Sequence, residues 1–245
     1  MNRVFIKNTE GTRAFMSREE LHHLVSVLRT KPGDVFEGIT GGEFRYRCRL
    51  IEEDGGYCGE IIGETGMNDE SPLVIELAAA LIRREKFELV LQKATELGVA
   101  GIVPLITSRT EIRLDSRREE KKLERWKKII TESVKQCGRN RIPALSHSLD
   151  LEEYLEPGHD RNFLVLDEGG TEPFRTAVNR FRGASAISIV IGPEGGWSNE
   201  DRLLMKRCPG LVRTGIGPRV LRSETAAVAA LSIVQYELGD LAGES

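Results

Sequence analysis

Two glycine-rich stretches near the end of the chain hold the residue types best suited to chemistry. The first reads Gly192-Pro193-Glu194-Gly195-Gly196-Trp197-Ser198-Asn199-Glu200-Asp201. Its glycines let the backbone approach a ligand closely and adopt positive φ. It follows an apolar run, Ala186 to Ile191, and Ser198 with Asp201 spells a helix start, so the order is strand, loop, helix. An ordinary tight turn would use the same residues. No Gly-Lys-Ser/Thr follows, and the glycine spacing is not the dinucleotide fingerprint. The second stretch, Gly215-Ile216-Gly217-Pro218-Arg219-Val220-Leu221-Arg222-Ser223-Glu224-Thr225-Ala226, follows a short strand, Leu211 to Arg213. Ser223 suits the N-cap of an apolar helix running to Leu238. Two arginines and a glutamate at the mouth of such a helix are costly unless exposed or paired. A capped loop with solvated arginines is the plain alternative. What favours a site is that both loops are expected at the ends of neighbouring strands.

The elements that must position these loops alternate. Leu73 to Leu81, Gly101 to Ile106, Phe163 to Leu166 and Ala186 to Ile191 are continuous apolar runs. Between them, Glu85 to Leu97, Arg117 to Cys137 and a segment around Pro173 to Phe181 have helical period, with Trp126, Ile129, Ile130 and Val134 as the inward face of the longest. Continuous apolar strands alternating with helices predict a parallel sheet covered on both faces, which binds ligands beyond the carboxyl ends of its strands. Residues 1–70 differ. Val4 to Ile6, Val35 to Ile39, Phe44 to Ile51 and Tyr57 to Ile62 are short strands. Ser17 with Glu20 spells a capping box for a helix through Leu21, Leu24, Val25 and Leu28. This is a small β-barrel pattern. The polar segment 63–72 is the expected linker, which divides the chain into domains 1–70 and 71–245.

Charge is unevenly spread. Residues 71–150 carry 16 Lys/Arg against 11 Asp/Glu, concentrated from Arg113 to Lys128 and from Arg139 to Arg141, although the whole chain has a net charge of −3. A local basic face can bind phosphates whatever the total charge. Interleaved Glu119, Glu120 and Glu124 equally suit a solvated helix. Cys48, Cys58, Cys137 and Cys208 have no metal or disulfide spacing, and MNRVFIKNTEG has no apolar core for export, so a cytoplasmic location without metal is expected.

Together, GPEGGWSNED at 192–201 and GIGPRVLRSETA at 215–226 resemble the C-terminal signature of the RsmE family, the 16S ribosomal RNA uridine-N3 methyltransferases of the SPOUT class. HHLVSVLRTKPGD at 22–34, QKATELGV at 92–99 and RWKKIITESVKQCGRNRIP at 125–143 are also similar, so the likeness spans nearly the whole chain. Ile216 stands where leucine is common.

The resemblance implies a PUA-like, β-rich RNA-binding domain and an α/β methyltransferase domain with a deep trefoil knot around a parallel sheet. It also implies a homodimer and S-adenosyl-L-methionine (SAM) bound largely by main-chain groups. The glycines here fit that, with Gly192, Gly195, Gly196 and Gly217 offering backbone. Leu166, Ile191, Ile216, Val220 and Leu221 would form apolar walls, and Pro193, Arg219 and Thr225 complete the expected cofactor set. Arg222 is the expected stabiliser of charge on the uracil oxygens. Glu194 or Glu224 would assist proton removal, or merely brace the loops. Arg3, Arg29, Arg109, Arg139 and Arg141 are candidate phosphate clamps on 16S rRNA, or surface salt-bridge partners. Rival readings are a ribose 2′-O-methyltransferase of the same class, a non-enzymatic RNA-binding module, and a nucleotide-binding hydrolase or kinase, the last disfavoured by the missing phosphate loop.

Overall fold

The computed structural model describes residues 1–42, 44–53, 55–66, 70–112, 116–156 and 161–243. The chain divides into two compact units, Met1–Glu70 with Glu132–Ile142, and Ser71–Thr131 with Pro143–Ser245.

In the first unit, β1 (Arg3–Glu10), β2 (Arg13–Met16), α1 (Arg18–His22), β3 (Val35–Ile39), β4 (Phe44–Glu53) and β5 (Gly56–Gly66) follow in order. The strands close a barrel in the order β1-β2-β5-β4-β3, completed by parallel pairing of β3 with β1. Closure leaves no free sheet edge. Inward positions supply the core, with Val4, Ala14, Phe36, Cys48 and Leu50 from strands and Leu24 from a π-helical turn, His23–Val27, that continues α1. All four cysteines are free.

Three expectations change here. The short strand at Val4 to Ile6 is part of a longer hairpin arm, and its partner β2 carries too little alternation to be legible. The segment 63–72 is not simply a linker. Gly63 to Gly66 extend β5 and pair with Arg47 to Phe44, while Met67, Asn68 and Asp69 lie outside the described residues. Backbone pairing holds this polar end of the ladder, which leaves no hydrophobic pattern to read. The box at Ser17 forms only by half. Ser17 Oγ accepts from the Glu20 amide at 3.1 Å, but the Glu20 carboxylate accepts from the Phe5 amide (3.0 Å) and Lys135 Nζ (2.7 Å). A buried ammonium outcompetes a local amide for that charge.

The second unit opens with β6 (Val74–Ala80), α2 (Arg84–Glu96), β7 (Gly101–Ile106), α3 (Ser116–Cys137, whose end from Glu132 groups with the barrel), β8 (Ala144–Leu145), β9 (Leu149–Asp150) and α4 (Leu151–Tyr154). It continues through β10 (Phe163–Leu166), β11 (Glu172–Pro173), α5 (Phe174–Asn179), β12 (Ala186–Ile191), α6 (Asn199–Lys206), β13 (Leu211–Gly215) and α7 (Ser223–Leu238). The sheet runs β11-β13-β10-β12-β6-β7-β8, with β9 also on β7, and its pairings are parallel.

Both faces are covered, as the continuous apolar strands require. Ile75, Leu77, Leu164, Ile187 and Ile189 face residues of α2, α3, α5 and α7, including Phe87, Leu91, Trp126, Val178 and Leu231. Alternate residues Ala78, Val103, Val165 and Val190 face Leu151 and Tyr154 of α4 and Met205 of α6. Of the inward face expected of α3, Trp126, Ile130 and, partly buried, Ile129 pack on this core, whereas Val134, fully buried, lies in the end of the helix that groups with the barrel. The basic run expected from Arg113 begins outside the described residues and continues along α3. No described helix is long and apolar enough to cross a membrane.

Candidate active site

The strand order places the two glycine-rich loops differently from expectation. β12 and β13 are not neighbours, because β10 lies between them and pairs with both. Neighbouring glycine-rich loops had been inferred from sequence order, which does not encode the crossover. The loops still meet across the end of β10, where Ser223 Oγ donates to the Gly192 carbonyl at 2.8 Å. Ser223 is therefore not the N-cap. Arg222 holds that position in extended backbone without a side-chain cap, and Ser223 is the first residue of α7.

The loop after β12 is held firmly. Ser198 and Asp201 form the predicted box, with Ser198 Oγ accepting from the Asp201 amide (3.0 Å) and the Asp201 carboxylate from the Ser198 amide (2.8 Å). Asp201 also accepts from Ser108 Oγ at 2.8 Å, which ties in the loop after β7. Trp197 is buried and its Nε1 donates to the Leu166 carbonyl at 2.7 Å. A Cβ at position 192 would meet that indole at 2.8 Å, so only glycine fits there. Arg109 Nη1 donates to the Gly195 carbonyl at 2.6 Å.

Beneath both loops lies Asp167, at the end of β10 and almost wholly buried. Arg202 of α6 donates to it at 3.0 and 3.1 Å, and Arg213 of β13 pairs with it. Burial pushes this carboxyl up, but hydrogen bonds from Arg202, the Gly169 amide and Arg213 outweigh that and hold it below its ordinary range.

Around the loops opens a cavity of about 1110 Å³. Leu166, Ile191, Gly192, Pro193, Glu194, Gly195, Gly196, Ile216, Gly217, Arg219, Val220, Leu221 and Arg222 line it, as does Arg109. Val220 is 74 % exposed, so it forms a lip more than a wall. Thr225 is exposed on the first turn of α7 and does not line the cavity, because the helix turns it away. Glu224 does not line it either. One of its carboxylate oxygens is buried without a hydrogen-bond partner, and the other lies 3.6 Å from Lys86 Nζ. Lys86 also pairs with Glu194, whose carboxyl it holds below the usual range. Arg222 is exposed and has no hydrogen-bonded partner among the described residues. Sequence reasoning missed Lys86, Arg83, Asp167 and Arg202. The first two sit at the start of α2, far from the motifs, and nothing in their spacing marks them. Arg202 lies one residue beyond the helix-start box, where it reads as a surface charge.

The other candidate arginines scatter. In the barrel unit, Arg3 bonds Glu37 (2.7 Å) and the carbonyls of Lys135 and Gln136 (each 3.0 Å), and buried Arg139 pairs with Glu70. Both guanidinium groups are thus engaged in holding residues 132–142 to the barrel, which sets them apart from the exposed Arg29 and Arg141. A pattern of arginine positions in sequence cannot tell a fold clamp from a phosphate clamp.

The geometry fits a ligand bound mainly by backbone and apolar walls between two loops at the carboxyl ends of parallel strands. An RNA methyltransferase domain matches residues 69–235, and an RNA methyltransferase PUA domain matches residues 17–61. The chain belongs to the RNA methyltransferase family. It is 32% identical over 257 residues to Ribosomal RNA small subunit methyltransferase E of Bacillus subtilis, covering 100% of both chains. A Legionella pneumophila protein solved in complex with the bound cofactor SAM superposes with a TM-score of 0.88 at 34% identity, covering 98% of each chain. Ribosomal RNA small subunit methyltransferase E of Neisseria gonorrhoeae, bound to S-adenosyl methionine, superposes at 0.86 with 28% identity, covering 98% of this chain and 99% of that one. In this methyltransferase the paired loops therefore stand at the ends of β12 and β13, joined by Ser223 and rooted on Asp167.

Proposed function

We propose that this protein transfers a methyl group from SAM to N3 of a uridine in 16S rRNA of the small ribosomal subunit. The observation that carries this reading is the single cavity shared by loops 192–196 and 215–222, joined by the Ser223–Gly192 hydrogen bond. The residues present suit SAM. Gly196 and Gly217 have φ of +66° and +65° with open space where a side chain would stand. Leu166, Ile191, Ile216 and Leu221 supply apolar surface, and the volume accommodates a cofactor with room for a base.

When bound, SAM supplies an electrophilic methyl group, so the protein's task is alignment and charge. Arg222, exposed on the cavity edge, is the residue we assign to stabilise the negative charge that a uracil oxygen gains as N3 loses its proton. Glu194 is kept ionised by Lys86, which also makes it a weak base. Glu224 keeps one buried carboxylate oxygen without a hydrogen-bond partner, although it lies off the cavity. We assign Lys86 to hold both glutamates between the loops. Arg109 braces Gly195 and stands at the edge as a phosphate contact, with Arg29 and Arg141 as contacts on the barrel unit. We read residues 1–70 as the RNA-binding domain and residues 71–245 as the methyltransferase domain.

We also infer the trefoil knot, a homodimer and a cytoplasmic location. Exposed apolar side chains on α6 and α7, Leu203 and Tyr236, support the dimer, and light scattering of the purified protein tests it. The substrate is tested by incubating the protein with methyl-labelled SAM and small subunits from a strain lacking it, then identifying the labelled nucleoside. Label in 3-methyluridine is expected. Label in a 2′-O-methyl ribose, or in no RNA at all, would overturn the reading.

A further inference from the structure

A second cavity of about 230 Å³ lies between α2 and α3 in the sheet unit. Its floor is apolar, made by Leu81, Ile82, Phe87 and Trp126, the two rings 4.8 Å apart between centroids. Its rim is cationic, with Arg84, Lys121, Lys122 and Arg125 around it. The one carboxylate among its described lining residues, Glu88, is already shared by Arg84 (3.1 Å) and Arg125 (2.7 Å). Lys121 and Lys122 have no acidic partner among the described residues. Burial, then the nearby charges of Arg118 and Arg84, push the Lys122 ammonium below its usual range. Like charges gathered at an apolar slot repel one another in the free protein and are relieved by an anion.

We propose that this slot takes one nucleotide of the RNA strand flanking the methylated residue. The base enters against the Phe87–Trp126 floor, and its phosphate sits between Lys121, Lys122 and Arg125. This rests on the RNA methyltransferase reading above and adds a second point of attachment to it. The position suits the role. Arg83 and Lys86 line the large cavity while Arg84 and Phe87 line the slot, so only the first turn of α2 stands between them. A helix is roughly 10–12 Å across, a gap that a short run of nucleotides spans. The slot is below the roughly 300–1,000 Å³ of ordinary small-molecule sites, which suits one ring and excludes a second cofactor. A mixed acidic peptide would satisfy the rim but would bring no ring to the floor, where the Phe87 and Trp126 planes are tilted 48° to each other.

The test compares wild type with the Lys121→Ala/Lys122→Ala double variant and with Lys122→Glu, after circular dichroism confirms folding. On naked 16S rRNA, KM for RNA should rise about tenfold, with kcat within about twofold and SAM affinity unchanged. The slope of log affinity against log salt should fall by about 0.7 for one lost phosphate contact on a single strand. Unchanged KM and salt slope would overturn the proposal. A loss confined to assembled subunits, with naked-RNA affinity intact, would make the slot a protein-docking surface and overturn it equally. An arm independent of turnover cross-links 4-thiouridine-substituted rRNA to the wild-type protein. Adducts in the peptide spanning Lys121 to Trp126 support the slot, and adducts confined elsewhere exclude it. Failure of the wild type to methylate any RNA would refute the proposed function instead, and the cross-link would still judge the slot.

Discussion

The two loops of the site are built on opposite plans. Loop 192–198 is fixed at several points: the box at its end, the Trp197 indole beneath it, Arg109 across it and Ser108 behind it. Loop 215–222 is fixed mainly at its ends, by Arg213 on Asp167 and by Ser223 on Gly192, while Gly217 to Val220 are exposed between them. A wall tied at many points faces an exposed segment tied mainly at its ends. Binding energy is better realised on a surface that loses little entropy, and a moving segment is suited to closing over the reacting groups. The difference teaches which variants should cost stability and which should cost turnover.

The largest effect is expected where the two plans share a root. Asp167→Asn leaves Arg202 and Arg213 without their anion and should cost about 3–5 kcal/mol, read from the denaturant midpoint, with SAM binding lost on calorimetry. The same residue sets a pH dependence. Its folded pKa lies below the ordinary value of 3.8, so its contribution is present above that value and is lost as pH falls through the folded pKa. Wild-type stability should therefore drop steeply in acid, and Asp167→Asn should flatten that limb. An acid limb identical in the two proteins would remove Asp167 from the anchor.

Next in size is Arg222→Ala, which tests the exposed loop alone. It should lower kcat by about 10²–10³ while SAM affinity and melting temperature stay near wild type. Turnover close to wild type would deny Arg222 its charge-stabilising role. Gly192→Ala tests the rigid loop alone. The methyl group would press on the Trp197 ring, costing about 1–3 kcal/mol and weakening SAM binding. If stability holds and only turnover falls, the contrast between the loops is wrong. The smallest effect belongs to Ser223→Ala, which removes the hydrogen bond between the loops. A loss of about 1 kcal/mol is expected, with a modest rise in the Kd for SAM. No change in either would mean that the loops meet without depending on that bond.

Much of this was legible in the sequence, and the failures follow a pattern. The buried strands were readable because burial on both faces demands uninterrupted apolar residues, as in Phe163 to Leu166. The box at Ser198 was readable because its chemistry is local. The same spelling at Ser17 misled by half, since Glu20 is claimed by Lys135, more than a hundred residues away. The order of β12, β10 and β13 was hidden because a crossover leaves no local trace. Most residues that line the cavity could be named from the motifs, yet Thr225 was carried along by proximity in sequence while the helix turned it outward. Lys86 and Asp167 were invisible for the converse reason, standing far from the loops in sequence and against them in space.

The central claim is that residues 192–196 and 215–222 form one SAM site. Hydrogen exchange on the protein with and without saturating SAM tests it most directly. The account predicts added protection in both stretches, larger in 215–222 because it starts less constrained. Protection in only one stretch, or binding that leaves both unchanged, would contradict it.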